Sequence, residues 1–420
     1  MASLIPASNE RNVLLLTGVG HFATHFFELM FPTLAVALAR QANVPLDQVL
    51  SWSFLGYLAF GLGALPMGLA GDRVGARLPL LVSLFGLGVA AFAASEVTSP
   101  RALTICLAAM GALASIYHPL GMSLISRTID ARGRALGVNG IFGNAAIALT
   151  PVITAALCAR FGWQDAYRMV GYAMCALAVG CAFLPVQEPP PRVVDAGEPA
   201  AAIAWRPLLV LLVAATLAGV SYRGNTLVQP AYFAERVSEV WFGAAVSAAY
   251  LLGIGGQYVG GVLADRHDQR RLYLLFHACS LPPLLLMTLL GGVPLVVSAA
   301  GFVFFSLGMQ PIENSLVARY APPHRRAAIY GLKFVCTFGI GSLAVWLVRW
   351  ADGLGGLSYA VLCLAGVVML VVAAAAVLLT MDERPATALL MRERVEVGGP
   401  GGPQPRHRGP RPQADSPVVP

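Results

Sequence analysis

The stretches "GLAGDRVGAR" (68–77) and "GVLADRHDQRR" (261–271) decide how the chain is read. Each ends a long apolar run and opens a basic one. Each carries a glycine, three residues, then Asp-Arg, and Asp72 and Asp265 lie 193 residues apart. A second echo has almost the same offset. "SIYHPLGMSLISR" (115–127) matches "LGMQPIENSLVAR" (307–319) at Pro119/Pro311, Ser123/Ser315, Leu124/Leu316 and Arg127/Arg319. One echo could be chance, but two at one offset argue for a duplicated unit.

What is duplicated follows from composition. The 420 residues are 57% hydrophobic and 12% charged, about half the roughly 25% charge of soluble domains. A soluble fold of this size needs more polar surface, so the chain reads as a multi-pass membrane protein embedded in a lipid bilayer. Apolar runs near spanning length fall at 12–38, 48–70, 78–95, 102–125, 135–158, 166–185, 206–230, 240–263, 272–291, 294–317, 328–349 and 357–380. The first is far longer than a signal-peptide core, so it reads as a retained helix. Arginines cluster at alternate connections: Arg73 and Arg77; Arg127, Arg132 and Arg134; Arg266, Arg270 and Arg271; Arg319, Arg325 and Arg326. The opposite connections hold only scattered ones. The positive-inside rule then predicts both termini in the cytoplasm; the expected location is the inner membrane of a bacterium.

The polar, Pro-rich "VQEPPPRVVDAGEP" (186–199) reads as a linker. The predicted organisation is a six-helix bundle over 1–186, a cytoplasmic linker over 187–204, a second six-helix bundle over 205–381 and a disordered tail over 382–420. The expected class is therefore an all-α membrane protein with twelve transmembrane helices in two pseudo-symmetric bundles. The seven cysteines all lie in apolar runs without paired spacing, and imply neither a disulfide framework nor a metal site. No GxxxxGK[ST] motif suggests an ATP-driven pump, and no HExxH, CxxC or GxSxG suggests an enzyme. No cofactor, metal or nucleic acid is expected.

With these residues in view, the chain resembles the major facilitator superfamily. Gly68, Asp72, Arg73, Gly75 and Arg77 match its loop signature G-x-x-x-D-R-x-G-R-R/K, with Ala76 where arginine is usual. Gly261, Asp265 and Arg266 match the echo in the second half. Within the superfamily, "GHFATHFFELMFPTL" and "YHPLG" look like the fosmidomycin-resistance-type branch of drug exporters. The resemblance implies alternating access, two bundles rocking about a site near the bilayer midplane. It makes Gly68, Asp72, Arg73, Arg77, Arg127, Asp265, Arg266 and Arg319 candidate gating residues. Asp72 would pair with arginines such as Arg127, and Gly68 would let helices approach closely.

Ionisable residues inside spans are costly and by default mark function. His21, His25 and Glu28 lie in the first span; His25 falls about 40° and Glu28 about −20° from His21 on a helical wheel. The three form one stripe able to face an interior cavity, where histidine titrates near neutrality and a sheltered carboxylate can exchange a proton. His118, beside Tyr117 and before Pro119, sits where proline frees a backbone carbonyl. Glu28, His25 and His118 are the proton-coupling candidates. The substrate-binding candidates are His21, Tyr117, Tyr222, Arg223, Asn225, Gln310, Glu313, Asn314 and Lys333, the only lysine in the chain. Arg223 and Glu313 could form a buried pair, or Arg223 could hold an anion in bidentate fashion. Lys333 could instead snorkel.

These residues predict a secondary active transporter, functional as a monomer, coupling protons to efflux of a small amphipathic or anionic compound by antiport, as in drug resistance. The alternatives are proton-coupled uptake of a small organic anion, and a transporter-like sensor without net flux.

Overall fold

The computed structural model describes residues 7–129, 132–188, 203–321 and 326–381. Most of the linker and the whole tail lie outside them. The described chain runs back and forth as twelve helical rods. The first half holds α1 (Ala7–Ala42), α2 (Leu46–Ser51) continuing as α3 (Phe54–Val74), α4 (Arg77–Glu96), α5 (Pro100–Ala114) continuing as α6 (Tyr117–Thr128), α7 (Arg132–Phe161) and α8 (Trp163–Ala182). The second holds α9 (Trp205–Arg236), α10 (Phe242–Ala264), α11 (Gln269–Met287), α12 (Gly292–Tyr320), α13 (Arg326–Phe334) and α14 (Ala344–Thr380).

The connections obey local chemistry. Ser99 caps α5 by accepting from the Ala102 amide, with Pro100 in the first turn, where no N–H is required. Asp268 caps α11 by accepting from the Arg271 amide at 2.9 Å. Gly355 and Gly356 leave helical geometry inside α14 and split it into the eleventh and twelfth rods. Pro119 has no N–H to offer Ser115 four residues earlier, and the fourth rod breaks at Ser115–Ile116. Among the described residues, nine helices are long and apolar enough to cross a membrane by themselves. The count falls below twelve because α8 and α11 are more polar and because the last two rods join in one span.

Burial is inverted relative to a soluble protein. Large apolar side chains such as Ile105, Leu251, Leu289 and Val293 lie exposed on the outside, while Glu28, Arg223, Glu313 and Lys333 are buried. The outer face therefore suits hydrocarbon. Exposed Trp205, Trp241, Trp346 and Trp350 sit near rod ends, as an interfacial belt requires.

The duplicated motif has a shared structural consequence. A Cβ at Gly68 would lie 3.3 Å from Cβ of Pro119, and one at Gly261 would lie 4.0 Å from Cβ of Pro311. The same glycine meets the same proline in both halves. Loop chemistry differs. In the first half Glu188, at the linker's start, accepts from the amides of Ala76 and Arg77 at 2.8 and 2.6 Å and so caps α4. Arg77 donates to the carbonyls of Ala182 and Leu184. In the second half Asp265 and Arg266 are exposed and Asp268 caps the helix.

The two halves also meet directly. α13 continues through a π-helical turn (Val335–Gly339) and a 3₁₀ turn (Ile340–Leu343), and the π turn packs on α3. Gly61 is essential there: a Cβ on it would fall 1.9 Å from the Gly339 amide nitrogen. At the end of the bundle away from the chain termini, Arg40 pairs with Glu239 at 2.6 Å and Arg349 with Asp47 at 3.3 Å. Gly61→Ala should push the halves apart, cost about 1–3 kcal/mol and lower the melting temperature by roughly 2–10 °C. Gly180→Ala, with open space around it, should leave melting unchanged or slightly higher. Equal melting of Gly61→Ala and the parent protein would contradict this packing.

Candidate functional site

The predicted stripe on α1 faces the interior and meets the second half there. His25 and Glu28 sit three residues apart on one helix face, and His25 Nδ1 lies 2.7 Å from Glu28 Oε2. The other carboxylate oxygen, Oε1, lies 2.8 Å from Nη1 of Arg223 on α9. Glu28 and Arg223 are 3% and 1% exposed at the side chain, so a buried ion pair joins the two halves. Arg223 also lies over the Tyr57 ring, 3.9 Å from its centroid, and the Tyr57 hydroxyl donates to the Glu28 backbone carbonyl. Of the two alternatives left open for Arg223, the pair with Glu313 does not form: Arg223 reaches across to Glu28 in the first half, and Glu313 pairs with Lys333.

This ion pair is close but poorly aimed. Nη1 comes within 2.8 Å of Oε1, yet Nε, Nη1 and Nη2 all lack a hydrogen-bond partner, as does Oε1. A buried guanidinium with unmet donors carries a desolvation penalty of several kcal/mol, and its planar fork matches an incoming carboxylate. Beside Glu28, a cavity of about 40 Å³ lies among α1, α3 and α5, lined by Thr24, Ser53, Tyr57, Phe60 and Met110 among others. It is large enough for a water and too small for an organic solute.

One turn along the same stripe, His21 Nδ1 lies 2.9 Å from the Asn139 carbonyl, and its ring stacks on Tyr117. The Tyr117 hydroxyl donates to Asn139 Oδ1 at 2.8 Å. His118, at the start of α6, faces His21 and His25 with ring centroids 5.5 and 5.4 Å away. Phe334 and Phe338 of the second half stack on His118, and Phe60 lies on another side. Phe338 sits in the π-helical turn, a departure from regular helix that often marks functional positions.

The remaining candidates form a second cluster inside the second half. Lys333 Nζ lies 2.8 Å from Glu313 Oε1 and donates to Asn314 Oδ1 at 2.8 Å. Tyr273 donates to Glu313 Oε2, and Tyr330 to the Asn314 carbonyl. Lys333 is 5% exposed and does not snorkel. These groups satisfy one another, which suits locking α11, α12 and α13 together. Asn225 folds back onto the Ser221 carbonyl of its own helix and is not brought to the Glu28 centre. Gln310 accepts from Gln257, whose side-chain oxygen accepts from Asn144 of the first half. Tyr222 packs partly buried beside Arg223. Of the gating candidates, the Asp72 and Arg73 side chains lie outside the described part, and Arg127 and Arg319 occupy the last turns of α6 and α12.

Sequence reasoning missed Tyr57, Asn139, Phe60, Phe334, Phe338, Asn144 and Gln257. Nothing local in the sequence ties any of these positions to α1.

Comparisons with known proteins agree with this architecture. The model of the Major Facilitator Superfamily matches residues 17–345 and 211–395. The probable L-galactonate transporter of Escherichia coli (strain K12) is 28% identical over 125 residues, which is 29% of this chain and 28% of that protein. The chain thus aligns with little more than a quarter of that relative. A bacterial homologue of the human lysosomal transporter Spinster, solved in an inward-facing and occupied conformation, superposes with a TM-score of 0.74 at 13% identity, covering 90% of this chain and 99% of that one. A mutant of the nucleoside transporter NupG superposes with a TM-score of 0.70 at 12% identity, covering 87% and 99%. Two six-rod halves, a repeated loop signature and a family match spanning most of the sequence lead to one conclusion: the chain is a membrane transporter, not an enzyme, and belongs to the Major Facilitator Superfamily.

Proposed function

We propose that the protein cotransports a small organic anion with a proton by alternating access, with Glu28 as the coupling carboxylate and Arg223 as the anion receptor. The observation that carries this reading is the Glu28–Arg223 ion pair between the halves, with the guanidinium donors otherwise unpartnered. While Glu28 is ionised, it neutralises Arg223. A proton arriving at Glu28, by way of His25 and His118, leaves a buried cation uncompensated, which costs several kcal/mol. A carboxylate cargo then replaces Glu28 on the guanidinium fork. Linkage is reciprocal, so the anion favours the proton as much as the proton favours the anion. Two solutes that promote each other's binding move together, which favours cotransport over exchange.

The same step acts on the conformation. Cargo and proton together dissolve the charge link between α1 and α9, freeing the halves to rock. On this reading both termini are cytoplasmic, the protein works as a monomer in a bacterial inner membrane, and the proton gradient drives uptake. A relative whose name specifies L-galactonate, a polyhydroxylated carboxylate, makes sugar acids the first class to assay. The second reading is proton-driven drug export, which rests on the resemblance of "GHFATHFFELMFPTL" and "YHPLG" to exporters. It predicts the opposite sign, with cargo and proton competing for Glu28.

In vesicles with an imposed inward proton gradient, accumulation of a sugar acid should exceed the gradient-free level. Glu28→Gln should abolish that excess while counterflow of cargo survives. Undiminished gradient-driven uptake in Glu28→Gln would remove Glu28 from the mechanism. Arg223→Lys keeps the charge but loses the planar fork, and should weaken apparent anion affinity at least about tenfold, or about 1.4 kcal/mol. An unchanged affinity would place the cargo elsewhere.

A further inference from the structure

We propose that His21, His25 and His118 form a binding site for a divalent transition metal of the zinc, cobalt and nickel class. The sequence reading assigned no metal, because His118 lies far along the chain from the α1 pair and only the fold joins them. One imidazole nitrogen from each residue lies within 4.8 Å of the others. His21 and His25 are one helical turn apart, the spacing that lets two imidazoles of one helix share an ion.

The hydrogen bonds around the cluster prepare it. His21 Nδ1 meets the Asn139 carbonyl at 2.9 Å, and His25 Nδ1 meets the Glu28 carboxylate at 2.7 Å. Carbonyl and carboxylate oxygens accept only, so each Nδ1 carries its hydrogen. In the neutral ring the Nε2 lone pair is then free to ligate. A backbone carbonyl and a carboxylate are the outer partners that metal-binding histidines use to fix tautomer and raise basicity. His118 supplies the independent sign: its Nε2 is buried without a hydrogen-bond partner.

Three imidazoles suit zinc, cobalt and nickel and do not suit magnesium or calcium, which take oxygen ligands. Tetrahedral coordination at about 2.0–2.1 Å requires nitrogens about 3.3 Å apart. The cluster must therefore tighten by up to about 1.5 Å from its 4.8 Å spread, and the break at Ser115–Ile116 lets the start of α6 supply this movement. Tightening draws His118 away from Phe334 and Phe338, so the ion would grip α1 to α6 within the first half and loosen their stacking on the second. The Arg223 cation, on the far oxygen of Glu28, opposes a second cation nearby and sets the expected affinity in the micromolar range.

The test needs no transport and is independent of the cotransport reading. Full-length protein, purified without a histidine tag, stripped with chelator and held in lipid nanodiscs, is titrated with Co²⁺ alone. The visible absorption of nitrogen-ligated tetrahedral cobalt should saturate at one equivalent. Zn²⁺ should displace it and raise the melting temperature. His118→Ala and, separately, His21→Gln should each weaken binding at least tenfold, with size-exclusion profiles confirming folded protein. His267→Ala, at an exposed loop histidine, should leave binding intact. Absence of the saturable band, or a band unaltered in folded His118→Ala and His21→Gln, overturns the proposal.

Discussion

A charge buried in a membrane protein must find its opposite, and here the opposite lies in the other half of the molecule. Glu28 on α1 and Arg223 on α9 are almost wholly enclosed. Burial of such a pair is close to neutral for stability, because desolvation offsets attraction, whereas loss of one partner costs about 3–5 kcal/mol. The pair therefore contributes little to folding and much to state selection. Around it the structure arranges everything that could alter its charge: His25 on the second carboxylate oxygen, Tyr57 under the guanidinium, and His118 within ring contact of His25.

The second polar cluster has the same ingredients and a different fate. Glu313 and Lys333 are as buried as Glu28 and Arg223, but Tyr273 and Asn314 complete their bonding. A network whose charged groups already hold partners offers a newcomer less to bind. The contrast between an open pair and a closed one separates a receptor from a rivet, and residue type alone does not reveal it.

This is also where sequence reading reached its limit. The twelve rods, the two halves and the α1 stripe were legible because hydrophobic length and helical period are local properties. The repeated residues Gly68, Pro119, Gly261 and Pro311 were visible in the letters, but that each glycine lies against its half's proline was not. The partner of Arg223 was not legible. Only Glu313 suggested itself, because pairing across helices depends on rod order and rotation, which no spacing encodes. Asn225 looked polar and central, yet its helical position turns its amide back to Ser221. The π-helical turn that brings Phe338 to His118 adds a residue to one helical turn and leaves no compositional mark.

Lys333 carries one more consequence. It is the sole lysine of the sequence and is enclosed beside Glu313. Acylating reagents that seek amines thus find one target within the helical bundle, and only when α12 and α13 separate. The molecule holds a built-in reporter for the opening of its second half, with no background from competing side-chain amines. Because arginine supplies every other fixed positive charge, such labelling would leave the charge pattern of the membrane surfaces untouched.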